Sequence, residues 1–282
     1  MVNRRKPLRL GIMQGRLSES IGGAIQAFPS RTWADEFVLA SGLGLNYIEF
    51  IYDVDPAGEN PLSSEEGLSA IRDVVERTGI HVETICADYY MRSSVLEKSR
   101  DGDPGDSKKL VWLVDKAFKI GARRIVLPLL EESSIKQESA QSKFLECCKR
   151  IGEQLDYYSV ELALETDFEP PSQISFLERI NHPLIRVTYD TGNSAALGFD
   201  SEEELTTFGN YISHVHIKDC LVGGGTVPLG MGDVDFGAIF NKLHNMGYEG
   251  SFTLQAARGG ANEIDTVAAY IQFVENLWST SK

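Results

Sequence analysis

Four polar residues each stand at the end of a short apolar run. They are Glu165 in "LALETD", Asp190 in "VTYDTGN", His216 in "SHVHIKD" and Gln255 in "SFTLQAARG", spaced 25, 26 and 39 residues apart. Two carboxylates, an imidazole and an amide carbonyl form a mixed oxygen and nitrogen donor set. Such a set suits a divalent cation with positions left for two substrate oxygens: Mn²⁺ first, with Co²⁺, Mg²⁺ and Zn²⁺ as alternatives. Each residue alone has a plainer explanation. A glutamate at a strand end is often solvated or ion-paired, and "YDTGN" is rich in turn formers. His214 and His216 lie two apart on one strand face, where either could be a hydrogen-bonded core histidine. The metal reading rests on the coincidence of all four at similar positions.

That coincidence requires elements that bring four strand ends together. Strand-like runs occur at 8–14, 47–53, 81–87, 124–130, 160–166, 185–191, 212–218 and 251–256. They are short and rich in Val, Ile, Tyr and Thr, as buried parallel strands are. Helical patterns occupy 31–44, 64–79, 107–121, 141–158, 172–180, 201–212, 235–248 and 262–278. Several open on a capping residue, with Asp235 as the N-cap of the seventh, and three close on Gly79, Gly121 and Gly247. Eight strands alternating with eight helices predict a (β/α)8 barrel forming one domain over residues 1–282. The rival, a doubly wound sheet, would carry G-x-G-x-x-G after its first strand, and "GIMQGRL" does not match. In a barrel the longer loops at 15–30, 54–63 and 92–106 gather over the C-terminal mouth, where sites are built.

Composition narrows the partners. A net charge of −14 over 282 residues disfavours nucleic acid and anionic membrane surfaces. The basic start is too short and too interrupted for a signal peptide or a span, so a cytoplasmic protein is expected. The four cysteines lack C-x-x-C spacing and read as buried thiols in a reducing compartment.

The runs "YDTGNSAAL", "ISHVHIKDC" and "VPLGMGDVDFGAIFNKLHNMGYEGSFTL" carry a resemblance. The chain resembles the sugar-phosphate isomerase/epimerase family of xylose isomerase-like TIM barrels, in particular the ketose 3-epimerases and the pentulose- and hexulose-phosphate epimerases. The likeness is dense over about 160–258 and looser over 8–53. It implies that one divalent metal is held at Glu165, Asp190, His216 and the position of Gln255. It also implies that the groups at 165 and 255 form a catalytic acid/base pair, one on each side of a sugar carbon. Gln255 departs from the family's glutamate. Its carbonyl oxygen can still bind a cation, but it cannot carry a proton as a carboxylate does.

Three consequences are open: one-base chemistry from Glu165, reprotonation by another mouth group (Glu49, Asp53 or Asp88), or loss of catalysis. Glu49, Asp88, Asn193 and Lys218 are also candidates for substrate hydroxyls, with a Lys218–Asp219 salt bridge as the plainer reading of that lysine. Arg16 and Arg258, on strands that neighbour when a barrel closes, are candidates for clamping a phosphate or carboxylate. Tyr89, Tyr90 and Met91 are candidates for an apolar wall, and the glycines at 223–225 read as a loop. The expected activity is a metal-dependent isomerase or epimerase-like reaction on a small sugar or sugar phosphate. The alternatives are a keto-polyol dehydratase and a non-catalytic carbohydrate-binding relative. An endonuclease on the related fold would need more histidines and a basic groove. A homo-oligomer is compatible with the sequence.

Overall fold

The strands β1 Leu10–Met13, β2 Tyr47–Ile51, β3 His81–Cys86, β4 Arg124–Leu129, β5 Glu161–Thr166, β6 Ile185–Asp190, β7 Ile212–Ile217 and β8 Ser251–Leu254 form a closed parallel barrel. β1 pairs with β2 on one side and β8 on the other, so sequence order is also the order around the ring. In this computed structural model the described residues are 7–53, 58–96, 107–259 and 262–281. The start at 1–6, part of the second long loop (54–57) and "DGDPGD" (101–106) lie outside them.

The crossover helices are α1 Asp35–Gly42, α2 Glu65–Thr78, α3 Ser107–Ile120, α4 Glu138–Tyr158, α5 Pro170–Ile180, α6 Ser201–Thr207, α7 Phe236–Asn245 and α8 Glu263–Thr280. Their ends follow capping chemistry. The Ser64 hydroxyl accepts from the Gly67 amide before α2, and Asp235 accepts from Ala238 before α7. Gly79, Gly121 and Gly247 adopt φ of 72°, 78° and 69°, the left-handed geometry that only glycine enters without strain.

Several elements differ from the sequence reading. α1 begins at Asp35 rather than 31, because residues 30–34 form turns. α4 begins at Glu138 rather than 141, and α6 ends at Thr207, passing into a 3₁₀ turn at Gly209–Tyr211. "DTGN", read as a turn, opens a helix at Thr191–Leu197, because Asp190 accepts from the Asn193 amide and so caps it. The loop holding the three glycines is a small antiparallel hairpin, Asp219–Cys220 with Thr226–Val227.

Side chains fill the barrel interior. Tyr47 lies inside, its hydroxyl donating to the Phe252 carbonyl at 2.7 Å. It fits because Gly11 on the neighbouring strand has no Cβ; one placed there would sit 2.3 Å from the Tyr47 ring. Above this layer the interior turns polar, with Glu49, His214, His216 and Thr253 all fully buried. A register shift between Val187 and Thr188 aligns Asp190 with His216, and His216 is paired in turn with Thr253. This alignment sets the site.

Candidate metal centre

At the C-terminal ends of β5, β6 and β7, donor atoms of Glu165, Asp190 and His216 lie within 4.8 Å of one another. His216 Nδ1 is 3.7 Å from Glu165 Oε2 and 3.9 Å from Asp190 Oδ2, too long for direct hydrogen bonds. Asp190 Oδ2 and His216 Nδ1 are buried without a hydrogen-bond partner, and so is Gln255 Oε1. Buried lone pairs of this kind are normally satisfied. Buried polar atoms left without hydrogen bonds on Asp190 and His216, beside the Glu165 carboxylate, are what a bound cation would resolve, so these three residues fit a metal, and Gln255 brings an open carbonyl oxygen to the same cavity.

Each donor is held from behind. Asp190 Oδ1 is engaged by the Asn193 amide, leaving Oδ2 as the open atom. Glu165 Oε1 accepts from Asn193 Nδ2 at 2.7 Å, and Asn193 Oδ1 accepts from Lys218 Nζ at 2.7 Å. Lys218 Nζ is also 3.6 Å from Asp190 Oδ2. It therefore faces Asp190 and not Asp219, whose buried carboxylate accepts from the backbone amides of Gly230, Gly232 and Val234. Gly192 makes room for the lysine stem, since a Cβ there would lie 2.6 Å from Lys218 Cγ. Gln255 follows β8, with its amide on the Ile217 carbonyl and its side-chain Nε2 donating to Gln26 Oε1 at 3.2 Å. That donation leaves the carbonyl oxygen free to serve as the ligand atom.

A second group, Glu49, His214 and His216, lies within the same distance limit but is already saturated. Glu49 accepts from His214 Nε2 at 2.6 Å, His216 Nε2 at 2.9 Å and Thr253 Oγ1 at 2.8 Å. The expectation that Glu49 meets substrate is therefore corrected: it is fully buried in the barrel, and its carboxylate orients both histidines. Holding the His216 Nε2 proton leaves Nδ1 to face the open site, the arrangement typical of metal-ligating histidines. His214 Nδ1 pairs with Ser251 Oγ and lies beside Arg124, which in turn pairs with Glu161.

Charge follows this wiring. Burial raises the Glu165 carboxyl to about 7 despite His216 nearby. His216 is opposed by burial, but Glu49, Glu165 and Asp190 together hold it up at about 9. His214 goes the other way, to about 4, because burial outweighs its contact with Glu49. Glu49 itself is held well below the ordinary range, the two histidines overcoming complete burial. Carboxylates that hold a proton on His216 would equally hold a cation in its place.

The mouth opens into a cavity of about 300 Å³ lined in part by Glu165, Asn193, Lys218, Gln255, Asp88 and Met91. A larger one, about 490 Å³, lies at the opposite end of the barrel around Arg123, Arg124 and Arg186, away from these donors. Asp88 and Asp53 both line the mouth, Asp53 in an ion pair with Arg92 at 3.7 Å. Met91 supplies apolar wall; Tyr90 is core, and Tyr89 packs on Tyr52 and Tyr90.

The expected Arg16–Arg258 clamp is also corrected. Arg258 donates to the carbonyls of Gly15, Ser18 and Ile25 and pairs with Glu263. Arg16 donates to Ala256 and Ile25 carbonyls and to Gln26 Oε1. Both tie the loop after β1 to the segment after β8, because carbonyls buried there need donors. Sequence reasoning missed Gln26: a lone glutamine in a loop carries no signal, yet it bridges Gln255 and Asp88.

The fold and the donor set define a TIM barrel with a candidate divalent-metal centre at its C-terminal mouth. The family model for the xylose isomerase-like TIM barrel matches residues 37–277, and the chain belongs to that family. Among curated proteins it is similar to L-ribulose-5-phosphate 3-epimerase UlaE of Escherichia coli, 28% identical over 240 residues, covering 79% of this chain and 81% of that one. Among solved structures it resembles the IOLI protein with a bound zinc atom (TM-score 0.77, 16% identity, 98% of this chain and 99% of that one). It also resembles L-ribulose 3-epimerase (TM-score 0.75, 16% identity, 97% and 95%). At such identities the structural likeness speaks for the fold. All four cysteines are free and buried, and no described helix is long and apolar enough to cross a membrane.

Proposed function

We propose that this protein is a metal-dependent isomerase or epimerase acting on a small sugar or sugar phosphate. The observation that carries this reading is the set of buried, partnerless acceptors on Asp190, His216 and Gln255 beside Glu165, at the head of a polar cavity. The curated relative named as an L-ribulose-5-phosphate 3-epimerase supports the same class. A divalent cation held by Glu165, Asp190, His216 and Gln255 would polarise a substrate carbonyl and stabilise developing enolate charge.

Glu165 is the base that removes the proton from the carbon next to the carbonyl. Asn193 keeps that carboxylate oriented through its 2.7 Å bond, and Lys218 keeps Asn193 oriented in turn. The remaining donors of Asn193 and Lys218 are available to sugar hydroxyls or a phosphate, and Asp88 on the cavity wall to sugar hydroxyls.

Proton NMR in D₂O tests the assignment. The Mn²⁺-loaded protein is incubated with L-ribulose 5-phosphate and a panel of free ketoses, and the metal is removed before spectra are taken. Deuterium entering the carbon beside the carbonyl, with a new epimer or aldose, supports the proposal. Loss of a hydroxyl would indicate dehydration instead. No exchange with any sugar would leave carbohydrate binding without catalysis.

A further inference from the structure

The mouth divides into two arcs. Glu165, Asn193 and Lys218 belong to the ends of β5, β6 and β7, while Gln255, Arg16, Gln26 and Asp88 follow β8, β1 and β3, which lie on the other arc of the ring. On that second arc the residue in the family's glutamate position is an amide. Its Nε2 donates to Gln26 Oε1 at 3.2 Å, and Gln26 Nε2 donates to Asp88 Oδ2 at 2.7 Å. A carboxylate therefore stands one side chain away from the missing one, on the same wall of the same cavity.

Glu49 is fixed beneath the floor by both histidines, and Asp53, which lines the same cavity, is ion-paired with Arg92 rather than linked to Gln255. Among the described residues the Asp88 side chain accepts from Gln26 and from the Cys86 thiol at 3.1 Å, both neutral donors. Burial, the largest influence, raises its pKa above the ordinary aspartate value, so the carboxyl more readily holds a proton that it can deliver.

We propose that Asp88 is the second proton-transfer group of this site, supplying the proton that Gln255 cannot. This rests on the sugar epimerase reading above. Glu165 breaks the C–H bond beside the carbonyl and takes the proton, the electron pair passing into the substrate's enediolate. Asp88 then delivers its own proton to the same carbon from the other arc, forming the new C–H bond with inverted configuration. Solvent reprotonates Asp88 and deprotonates Glu165 before the next turnover, so no oxidant, reductant or further co-reactant is consumed.

The test uses the Mn²⁺-loaded full chain, L-ribulose 5-phosphate and the ketose panel in D₂O. In the wild type, early product should carry deuterium at the inverted carbon while recovered substrate keeps its hydrogen. Product retaining the substrate's own hydrogen means one carboxylate does both transfers and overturns the proposal. An aldose or a dehydrated product without inversion also overturns it. In Asp88→Asn, epimer formation should fall about 100-fold or more, and the stranded enediolate should now return to substrate through solvent-exchanged Glu165, so that deuterium enters recovered substrate. Circular dichroism and Mn²⁺ affinity are checked on the same variant. Epimerisation at the wild-type rate, or equal loss of exchange and epimerisation with Mn²⁺ affinity retained, overturns the role. Should that variant not fold, the wild-type label distribution decides alone. A wild type with neither exchange nor turnover on any sugar defeats the epimerase reading itself, whereas an active wild type with an unaffected variant defeats only Asp88.

Discussion

Two groups of three metal-capable side chains share His216, and they differ in one respect. In the lower group Glu49 has hydrogen bonds from His214, His216 and Thr253. In the upper group the facing atoms of Asp190 and His216 accept no hydrogen bond from any described residue, and the Gln255 carbonyl accepts none either. Residue type and proximity are alike in both. What separates a ligand site from a structural network is which lone pairs the fold has left open. Histidine makes the contrast clear, since one ring nitrogen is committed below and the other faces upward.

The largest effect expected from breaking this distinction is on Asp190 and His216. Asp190→Ala or His216→Ala should weaken Mn²⁺ binding more than 100-fold and reduce turnover to background, read by titration with electron paramagnetic resonance. Manganese-soaked crystals should show anomalous density among Glu165, Asp190, His216 and Gln255 and none between Glu49 and His214. Density at the lower group would reverse the comparison.

Glu49→Gln removes the charge that fixes His216 without touching an open atom. The expected loss is about 10- to 100-fold in metal affinity, with lower thermal stability because the buried His216 loses its counter-charge. Calorimetric titration and a melting curve measure the two. If affinity is unchanged, the lower network has no hold on the upper site.

Gln255→Glu restores a third carboxylate around the cation. About tenfold tighter Mn²⁺ binding is expected, since an anionic ligand replaces a neutral one on a 2+ ion. Calorimetry checks it, and weaker binding would mean that position 255 does not face the ion.

A smaller effect comes from comparing Glu49 with Glu204, two buried glutamates shifted in opposite directions. Glu204 has only the Tyr189 and Ser194 hydroxyls as partners, and burial pushes it up to about 7. The folded protein then holds a proton that the unfolded chain releases from about pH 4.5 upward. Stability should therefore fall as pH rises from about 4.5 through 7, by roughly 3 kcal/mol from this group. Glu36, raised to about 6 by burial, acts in the same direction. Denaturant titrations at pH 5 and 8 should show the fall, and Glu204→Gln should flatten it.

The sequence by itself determined the eight-fold alternation and the strand ends, and nominated the four candidate donors, because short apolar runs, capping residues and glycine stops are local signals. It also marked Gln255 as the departure from the family pattern, since that is a matter of residue identity. Only the tertiary structure decided what each polar group faces. Glu49 looked like a mouth residue until strand register placed it under two histidines, and Arg258 looked like a clamp until loop carbonyls claimed its donors. Gln26 became visible only when the segment after β1 came to lie between Gln255 and Asp88. Hydrogen-bond commitment is a long-range property: it depends on which distant strand or loop supplies the partner, and spacing along the chain does not encode it.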